Sequence, residues 1–302
     1  MAIASIVTTS SSRTVSLPCA DALAFGKSPV TGLIITQGQA ARAWIKERTD
    51  QAQARFFSSV RPIYWATPSA TAEAVGSSFL LQVDGRRFLV TAAHVFDLNQ
   101  QSALYVAGCD ALEQITGIAN VTKAPASGRS GDKYDFAFME LPDEFAGRLG
   151  TDKFIDASGI SQNRGSLDGR CFMALGYPAS RNKPKPIAIT GTHVHGKSWS
   201  YSATVHTDAK VFNDVGAFQE THLLLKFGKK SKAFTGEVTN SITPQGASGG
   251  ILVDLGRIDP QALAPAFQSS PRLAGILIEH HAPSKAIVAV KIQSIIEAIR
   301  NS

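Results

Sequence analysis

Cysteines are few in this sequence: Cys19, Cys109 and Cys171 are the only three among 302 residues. A secreted protein of this size commonly carries a larger, even set that pairs into disulfides, so the count favours a reducing compartment. Long apolar runs are also missing, and no stretch approaches the roughly 18 consecutive apolar residues of a membrane-spanning helix. Residues 1–20 lack the charged start and apolar core of a signal peptide. We therefore predict a cytoplasmic location and no membrane partner.

Charged residues are scarce as well, at 18% of the chain against 44% hydrophobic residues. This balance is typical of a folded globule and argues against disorder. The net charge is only +6, and the densest basic run consists of Lys226, Lys229, Lys230 and Lys232. A nucleic-acid-binding protein would usually concentrate its positive charge on one helix or stripe. We interpret the lysine run as a solvated loop and predict no nucleic-acid partner.

Short strands separated by turn residues dominate the chain from residue 74 onward, which predicts a mostly β barrel or sandwich. Asp84-Gly85 is a hairpin-turn signal between two of them. Residues 38–58 indicate an amphipathic helix that we expect to pack on the outside of the main fold, and residues 293–300 a short C-terminal helix. The predicted strands are residues 77–83, 87–91, 102–107, 136–141, 171–175, 200–206, 222–227, 250–254, 273–279 and 286–291.

Two motifs place a histidine and an aspartate at the ends of predicted strands. His94 follows small residues at the end of the second hairpin strand, where it can face a cleft or serve as an ordinary turn residue. Asp135 stands at the start of a strongly apolar strand, and a carboxylate there needs a donor, for which an imidazole N–H is suitable. Loop amides could supply that donor instead. Asp132, three residues earlier in a more polar turn, is the competing candidate.

The most specific motif surrounds Ser248, in the segment Pro-Gln-Gly-Ala-Ser-Gly-Gly directly before an apolar strand. A nucleophilic serine must be exposed at a tight turn whose backbone N–H groups converge on the carbonyl oxygen under attack. Gly246 can adopt the unusual φ that aims its amide, and Gly249 and Gly250 permit close approach of a substrate. The alternative is a flexible Gly-Ser turn before a strand.

Together the three motifs resemble the trypsin-like serine peptidases of the chymotrypsin fold, in which the catalytic residues follow the order His, Asp, Ser. The resemblance covers roughly residues 60–301. It implies two six-stranded antiparallel β-barrels, the first over residues 61–160 with His94 and Asp135. The second, over residues 161–302, would carry Ser248 and the C-terminal helix, and residues 1–60 would form an extension with a helix.

The resemblance also implies a mechanism. Ser248 would attack a peptide carbonyl, His94 would take its proton as general base, and Asp135 would hold the imidazole tautomer. The amides of Gly246 and Ser248 would form the oxyanion hole, and no metal or organic cofactor is needed. Position 247 is alanine, where secreted digestive members carry an aspartate that pairs with the newly cut N-terminus. Activation by that ion pair is excluded, because alanine has no charge.

The substrate pocket is expected to be unlike that of trypsin. Family spacing puts Ile242 at its base, and an apolar base disfavours a buried Lys or Arg side chain because the cation would be unpaired. We therefore expect an apolar residue at P1, although Glu279 could still admit a basic group. The other residues expected to line the pocket are Gln245, Ile278 and His280.

The sequence leaves several alternatives open. His193 and His195 are two apart and His280 and His281 are adjacent, but neither pair has a cysteine or acidic partner nearby except Glu279, so we predict no metal site. The favoured function is a serine endopeptidase acting on a narrow range of protein or peptide substrates. The main alternative is a pseudo-protease or protein-binding scaffold of the same fold. Residues 1–60 could dock on the barrels, block the cleft or recruit a partner.

Overall fold

The computed structural model describes residues 3–5, 36–68, 71–182, 196–233, 237–258 and 270–302, which form sixteen strands and five α-helices. The helices are α1 (Gln37–Phe56), α2 (Ala93–Phe96), α3 (Asp143–Leu149), α4 (Ala209–Val215) and α5 (Ile292–Arg300). The first eight strands are β1 (Ile3–Ser5), β2 (Val60–Ala66), β3 (Ala72–Val83), β4 (Arg86–Ala92), β5 (Leu104–Ala107), β6 (Leu112–Gln114), β7 (Asn120–Val121) and β8 (Phe136–Glu140). The other eight are β9 (Arg170–Gly176), β10 (Trp199–Thr204), β11 (His222–Lys226), β12 (Lys230–Ala233), β13 (Val238–Asn240), β14 (Ile251–Arg257), β15 (Arg272–His281) and β16 (Ala286–Lys291).

The first sheet is antiparallel and has seven strands in the order β6-β5-β2-β3-β4-β8-β7. Strands β3 and β4 form the predicted hairpin, whose two turn residues Asp84 and Gly85 have φ values of +48° and +83°. Positive φ at both central residues is what a two-residue hairpin turn of type I′ requires. The turn therefore sets the register of β4 against β3, and β4 ends at Ala92, two residues before His94.

The second sheet has nine strands in the order β11-β16-β15-β14-β9-β10-β1-β12-β13. Its first six strands run antiparallel, and an isolated antiparallel bridge between Val205 and Leu225 joins the two ends of that run. The described sheets thus hold seven and nine strands instead of the expected six each. Most of the strands that the sequence did not predict, such as β6, β7 and β13, have two or three residues and are too short to show an alternating pattern.

Three large groups of buried apolar side chains form the core. One consists of side chains of the first sheet and its flanking segments, for example Ile63, Leu80 and Leu104, and another of side chains of the second sheet, such as Tyr201 and Leu252. The third and largest takes side chains from both sheets and from α1 and α5. This shared group packs the two sheets against each other, so the segments that leave their strand ends are held at a fixed spacing.

The predicted helix is present as α1, but its buried face includes the polar residues Arg48 and Thr49, and it packs into the core against the second sheet instead of on the outside of the fold. A capping box begins the helix, with Thr36 accepting from the Gln39 amide while the Gln39 side chain accepts from Thr36 N–H. Its buried face contributes to the largest apolar group. Buried Arg48 donates to the Leu255 carbonyl at 2.9 Å, and burial lowers the pKa of that guanidinium. The helix is therefore part of the folded core.

Helix α5 is amphipathic as expected, and its buried residues are Ile292, Ile295 and Ile299. Helices α3 and α4, of seven residues each, were not predicted from the sequence. Within the described ranges, no helix is both long and apolar enough to cross a membrane.

Candidate active site

His94 lies in the single helical turn α2 that follows β4. Ala92 ends the strand with extended backbone, and the chain turns into α2 at Ala93. The amide of Ala93 donates to the Asp135 carbonyl at 3.0 Å, and the amide of His94 donates to Oδ1 of Asp135 at 2.9 Å. The backbone that leads into His94 is thus held by Asp135 at two successive amides.

Asp135 also contacts the imidazole itself. Its Oδ2 lies 2.5 Å from Nδ1 of His94, and its side chain is 10% exposed against 40% for that of His94. Since a carboxylate can only accept, Nδ1 carries the proton in this contact, and Nε2 is left as an acceptor in the neutral ring. Asp135 has φ of +40°, a left-handed conformation that costs on the order of 1 kcal/mol in a non-glycine residue. That conformation directs both the carbonyl and the carboxylate of Asp135 toward α2.

Asp132, the competing carboxylate, has other partners. Its Oδ2 accepts from Thr122 Oγ1 at 2.5 Å and from Arg129 Nη1 at 2.8 Å. Burial alone would raise the pKa of Asp132, but these hydrogen bonds and two backbone amides outweigh it and lower the pKa. Arg129 is also bound to Asp97 through two nitrogens. The structure therefore places Asp135, and not Asp132, on the histidine.

Ser248 lies in the loop between β13 and β14, held by neighbouring strands. Its carbonyl accepts from the Ser77 amide at 2.8 Å. Gly249 has φ of +84°, and a Cβ at this position would lie 1.9 Å from the Ser77 carbonyl oxygen. A Cβ on Gly250 would lie 2.4 Å from the Leu175 carbonyl oxygen. The expectation that these two glycines admit a substrate is therefore corrected, because the groups that approach them belong to β3 and β9.

The peptide between Gln245 and Gly246 has a defined orientation. The Gln245 carbonyl accepts from the Ala179 amide at 2.8 Å, and Gly246 has φ of +87°. Because the C=O and N–H of a trans peptide point in opposite directions, the Gly246 N–H points away from Ala179. Within the described part of the chain, neither this amide nor that of Ser248 donates to an acceptor. The loop thus offers two unused donors close to the Ser248 side chain.

A cleft of about 740 Å³ brings most of the expected site residues together. The residues expected from the sequence that line it are His94, Asp135, Gln245, Gly246, Ser248, Ile278, Glu279 and His280. The Ser248 hydroxyl donates to the Ile278 carbonyl at 3.2 Å. Ile242 is not in this lining, because it packs half-buried on the apolar group of the second sheet, and Thr243 takes its place in the wall.

The pocket wall residues differ in exposure. Glu279 is exposed, whereas His280 is half-buried with its ring edge against Phe227, at 5.0 Å between ring centroids. Burial lowers the pKa of His280, so the ring is neutral near neutral pH. Among the described residues no group of three His, Cys, Asp or Glu side chains could hold a metal ion, and His193 and His195 lie outside those residues.

Two residues support the site although no motif in the sequence marks them. Ser77 binds the nucleophile loop through its amide and donates its hydroxyl to the Gly246 carbonyl at 3.3 Å. His222 is buried at the start of β11 and contacts the Lys133 carbonyl at 2.8 Å. Both partners are far away in sequence, so no local motif signals them.

No protein-family model and no curated protein matches this chain. Solved structures that resemble it include the serine protease domain of the Sesbania mosaic virus polyprotein, at 12% identity and a TM-score of 0.42, covering 80% of this chain and 91% of that one. The Vibrio cholerae VesB protease is similar at 15% identity and a TM-score of 0.48, covering 80% of this chain and 62% of that one. A Glu endopeptidase is similar at 14% identity and a TM-score of 0.39, covering 80% and 88%.

Proposed function

We propose that this protein is a serine endopeptidase in which Ser248 is the nucleophile, His94 the general base and Asp135 the residue that orients the histidine. The observation that carries the proposal is the two-point contact of Asp135 with His94 in the cleft that also contains Ser248. The folded unit would be a pair of chymotrypsin-like barrels over residues 61–160 and 161–302. Its substrates would be proteins or peptides.

In the proposed reaction the Ser248 hydroxyl turns from the Ile278 carbonyl toward Nε2 of His94. Nε2 accepts the hydroxyl proton while Oγ attacks the peptide carbonyl carbon. The imidazolium that forms is stabilised by the carboxylate of Asp135, which stays ionised. The proton then passes to the leaving amine as the C–N bond breaks and an acyl-enzyme remains. Water, deprotonated by the same histidine, releases the acyl group and restores the Ser248 hydroxyl.

The oxyanion of the tetrahedral intermediate would accept from the amides of Gly246 and Ser248. Both amides lack an acceptor in the described residues, and the Ala179–Gln245 hydrogen bond fixes the peptide that carries one of them. A donor that is oriented before the substrate arrives costs no reorganisation during the reaction. Loss of one such donor typically raises the barrier by about 2.7–4 kcal/mol.

A fluorophosphonate probe, which phosphonylates an activated serine hydroxyl, tests the proposal. We expect labelling of the wild type, no labelling of Ser248→Ala, and strongly reduced labelling of His94→Ala. The matched control is Ser130→Ala, because Ser130 is an exposed serine in the same cleft that the mechanism does not use. Wild-type protein that is folded but neither labelled nor able to cleave a peptide library would instead support the protein-binding scaffold.

A further inference from the structure

His222 is a buried histidine to which the proposed mechanism gives no part. It is the first residue of β11, in the second sheet, and is 1% exposed. Its Nε2 lies 2.8 Å from the carbonyl oxygen of Lys133, which belongs to the segment before β8 of the first sheet. The contact therefore crosses from one sheet to the other, and it reaches the chain two residues before Asp135.

The surroundings of the ring decide which nitrogen carries the proton. A carbonyl oxygen only accepts, so Nε2 donates to Lys133. On the other side, Nδ1 lies 2.9 Å from the Thr221 hydroxyl and 3.3 Å from both the amide nitrogen and the carbonyl oxygen of Phe218. The hydroxyl and the amide can donate to Nδ1, whereas the carbonyl already accepts from the His222 amide at 2.8 Å. The neutral ring with a proton on Nε2 thus satisfies both nitrogens. Lys133 and Lys291 carry nearby positive charges, and the Tyr134 ring lies at 5.6 Å between ring centroids, tilted by 38°.

The segment held by His222 needs external support. Asp135 adopts the left-handed φ of +40°, which persists only where surrounding contacts fix it. Residues next to the first sheet hold the two ends of the segment, since Asp132 binds Arg129 and Thr122 and the Asp135 carbonyl accepts from the Ala93 amide of α2. The middle of the segment, at Lys133, is bound by residues on the side of the second sheet. There, His222 binds the Lys133 carbonyl, and the Lys133 ammonium reaches the Val215 carbonyl at 3.4 Å.

We propose that His222 is a positioning residue whose Nε2–H, donated across the sheets to the Lys133 carbonyl, fixes the segment that holds Asp135 against His94. This inference rests on the proposed function, because it gives His222 a part in the same site. Ser248 is anchored to the first sheet through Ser77, at 2.8 Å between the Ser77 nitrogen and the Ser248 oxygen. His222 supplies the reciprocal anchor from the second sheet to the aspartate. Both anchors keep the reacting groups at one spacing.

The test compares replacements that differ in their ability to donate to Lys133. In His222→Gln the side-chain amide can place an N–H near the position of Nε2, whereas His222→Asn is too short and His222→Leu has no donor. The control is His206→Leu. The His206 ring also approaches a backbone carbonyl, that of Lys285 at 3.5 Å, but both residues belong to segments next to the second sheet, so this contact does not cross to the first sheet. Each variant is assayed for kcat and KM on a peptide substrate and for thermal stability. The low-field ¹H resonance of the proton on Nδ1 of His94 is recorded as well.

We expect kcat to fall by about ten- to hundredfold in His222→Leu and His222→Asn with KM nearly unchanged, because a shift of the aspartate of about 1 Å is enough for such a loss. The low-field resonance should weaken or move in His222→Leu and His222→Asn. In His222→Gln and His206→Leu, kcat and the resonance should both stay close to those of the wild type. An unchanged kcat and resonance in His222→Asn, with stability alone reduced, would overturn the proposal. If His222→Leu does not fold, the comparison of His222→Gln with His222→Asn still tests the proposal. A wild type without peptidase activity would refute the proposed function, yet the resonance would still report whether His222 positions Asp135.

Discussion

Asp135 binds His94 twice, with Oδ2 at 2.5 Å from the imidazole Nδ1 and Oδ1 at 2.9 Å from the backbone nitrogen of the same residue. One contact fixes the ring and the other fixes the turn from which the ring projects. A single carboxylate therefore determines both the tautomer of His94 and its direction. This double contact depends on the left-handed backbone at Asp135, which the hydrogen bond from the Ala93 amide to the Asp135 carbonyl supports.

Replacement of Asp135 by asparagine should separate orientation from charge. In Asp135→Asn the side-chain amide nitrogen would face Nδ1, which would favour the tautomer with the proton on Nε2 and remove the acceptor for the Ser248 proton. We expect kcat to fall by about 10⁴-fold near neutral pH with the fold retained. The control is Asp132→Asn, whose partners are Arg129 and Thr122, and it should lose far less. Equal losses in steady-state assays of the two variants would contradict the assignment of Asp135.

The Ser248 loop should tolerate no side chain at Gly249. A methyl group there would meet the Ser77 carbonyl oxygen at 1.9 Å on a backbone with positive φ, so β3 or the loop must move. We expect Gly249→Ala to destabilise the fold by on the order of 3 kcal/mol and to abolish serine labelling. Gly147→Ala is the matched control, because Gly147 lies exposed in α3 with open space around it. That variant should gain about 0.5–1 kcal/mol in chemical denaturation.

Local sequence was sufficient wherever a feature depends on adjacent residues. Asp84-Gly85 predicts its own hairpin because the turn type requires positive φ at both positions, and the glycines around Ser248 predict a tight loop for the same reason. His94 and Asp135 could be proposed as partners only through the order of the three motifs. Their pairing depends on the hydrogen bonds between β4 and β8, which bring them together across 41 positions of sequence.

The features that sequence could not predict depend on long-range packing. His222 contacts a carbonyl 89 positions away, and nothing near it in sequence distinguishes it from an ordinary buried histidine. Ile242 was placed by spacing alone, but its apolar side chain packs into the group of the second sheet and leaves the wall of the cleft to Thr243. The sequence predicted that α1 is a helix. It could not predict that α1 belongs to the main core, because that depends on its packing against β9 and β14.

Helix α1 should be required for stability. Phe56, its last residue, is 1% exposed within the largest apolar group, whereas its neighbour Phe57 is 48% exposed. We expect Phe56→Ala to lower the free energy of unfolding by about 3–5 kcal/mol and Phe57→Ala to change it by less than about 1 kcal/mol. Urea denaturation of the two variants makes the comparison. Similar, small effects would show that α1 is a dispensable extension, as a purely regulatory segment would be.

Stability should depend on pH through three histidines. Burial lowers the pKa of His206, His222 and His280 below the ordinary value of 6.5, so the folded protein binds fewer protons than the unfolded chain under mildly acidic conditions. Their contribution is therefore complete above about pH 6.5 and is lost as pH falls through the folded pKa values. We expect the free energy of unfolding to decrease from pH 7 to pH 5. His222→Gln should flatten this dependence, and an identical slope in that variant would contradict a neutral, buried His222.

The choice of substrate side chain should follow the apolar wall of the cleft. Leu277, Ile278 and Ile287 line it, and of its carboxylates Asp132 and Asp135 already bind Arg129 and His94. Glu279 is exposed, so water screens its attraction for a cation.

We therefore expect cleavage of a peptide library to favour apolar residues at P1, with kcat/KM for arginine at P1 lower by about tenfold or more. A buried guanidinium would find no free buried carboxylate to pair with in this cleft. A dominant preference for arginine would contradict this expectation. Glu279→Gln is then the decisive variant, because loss of the arginine preference in it would assign specificity to that carboxylate rather than to the apolar wall.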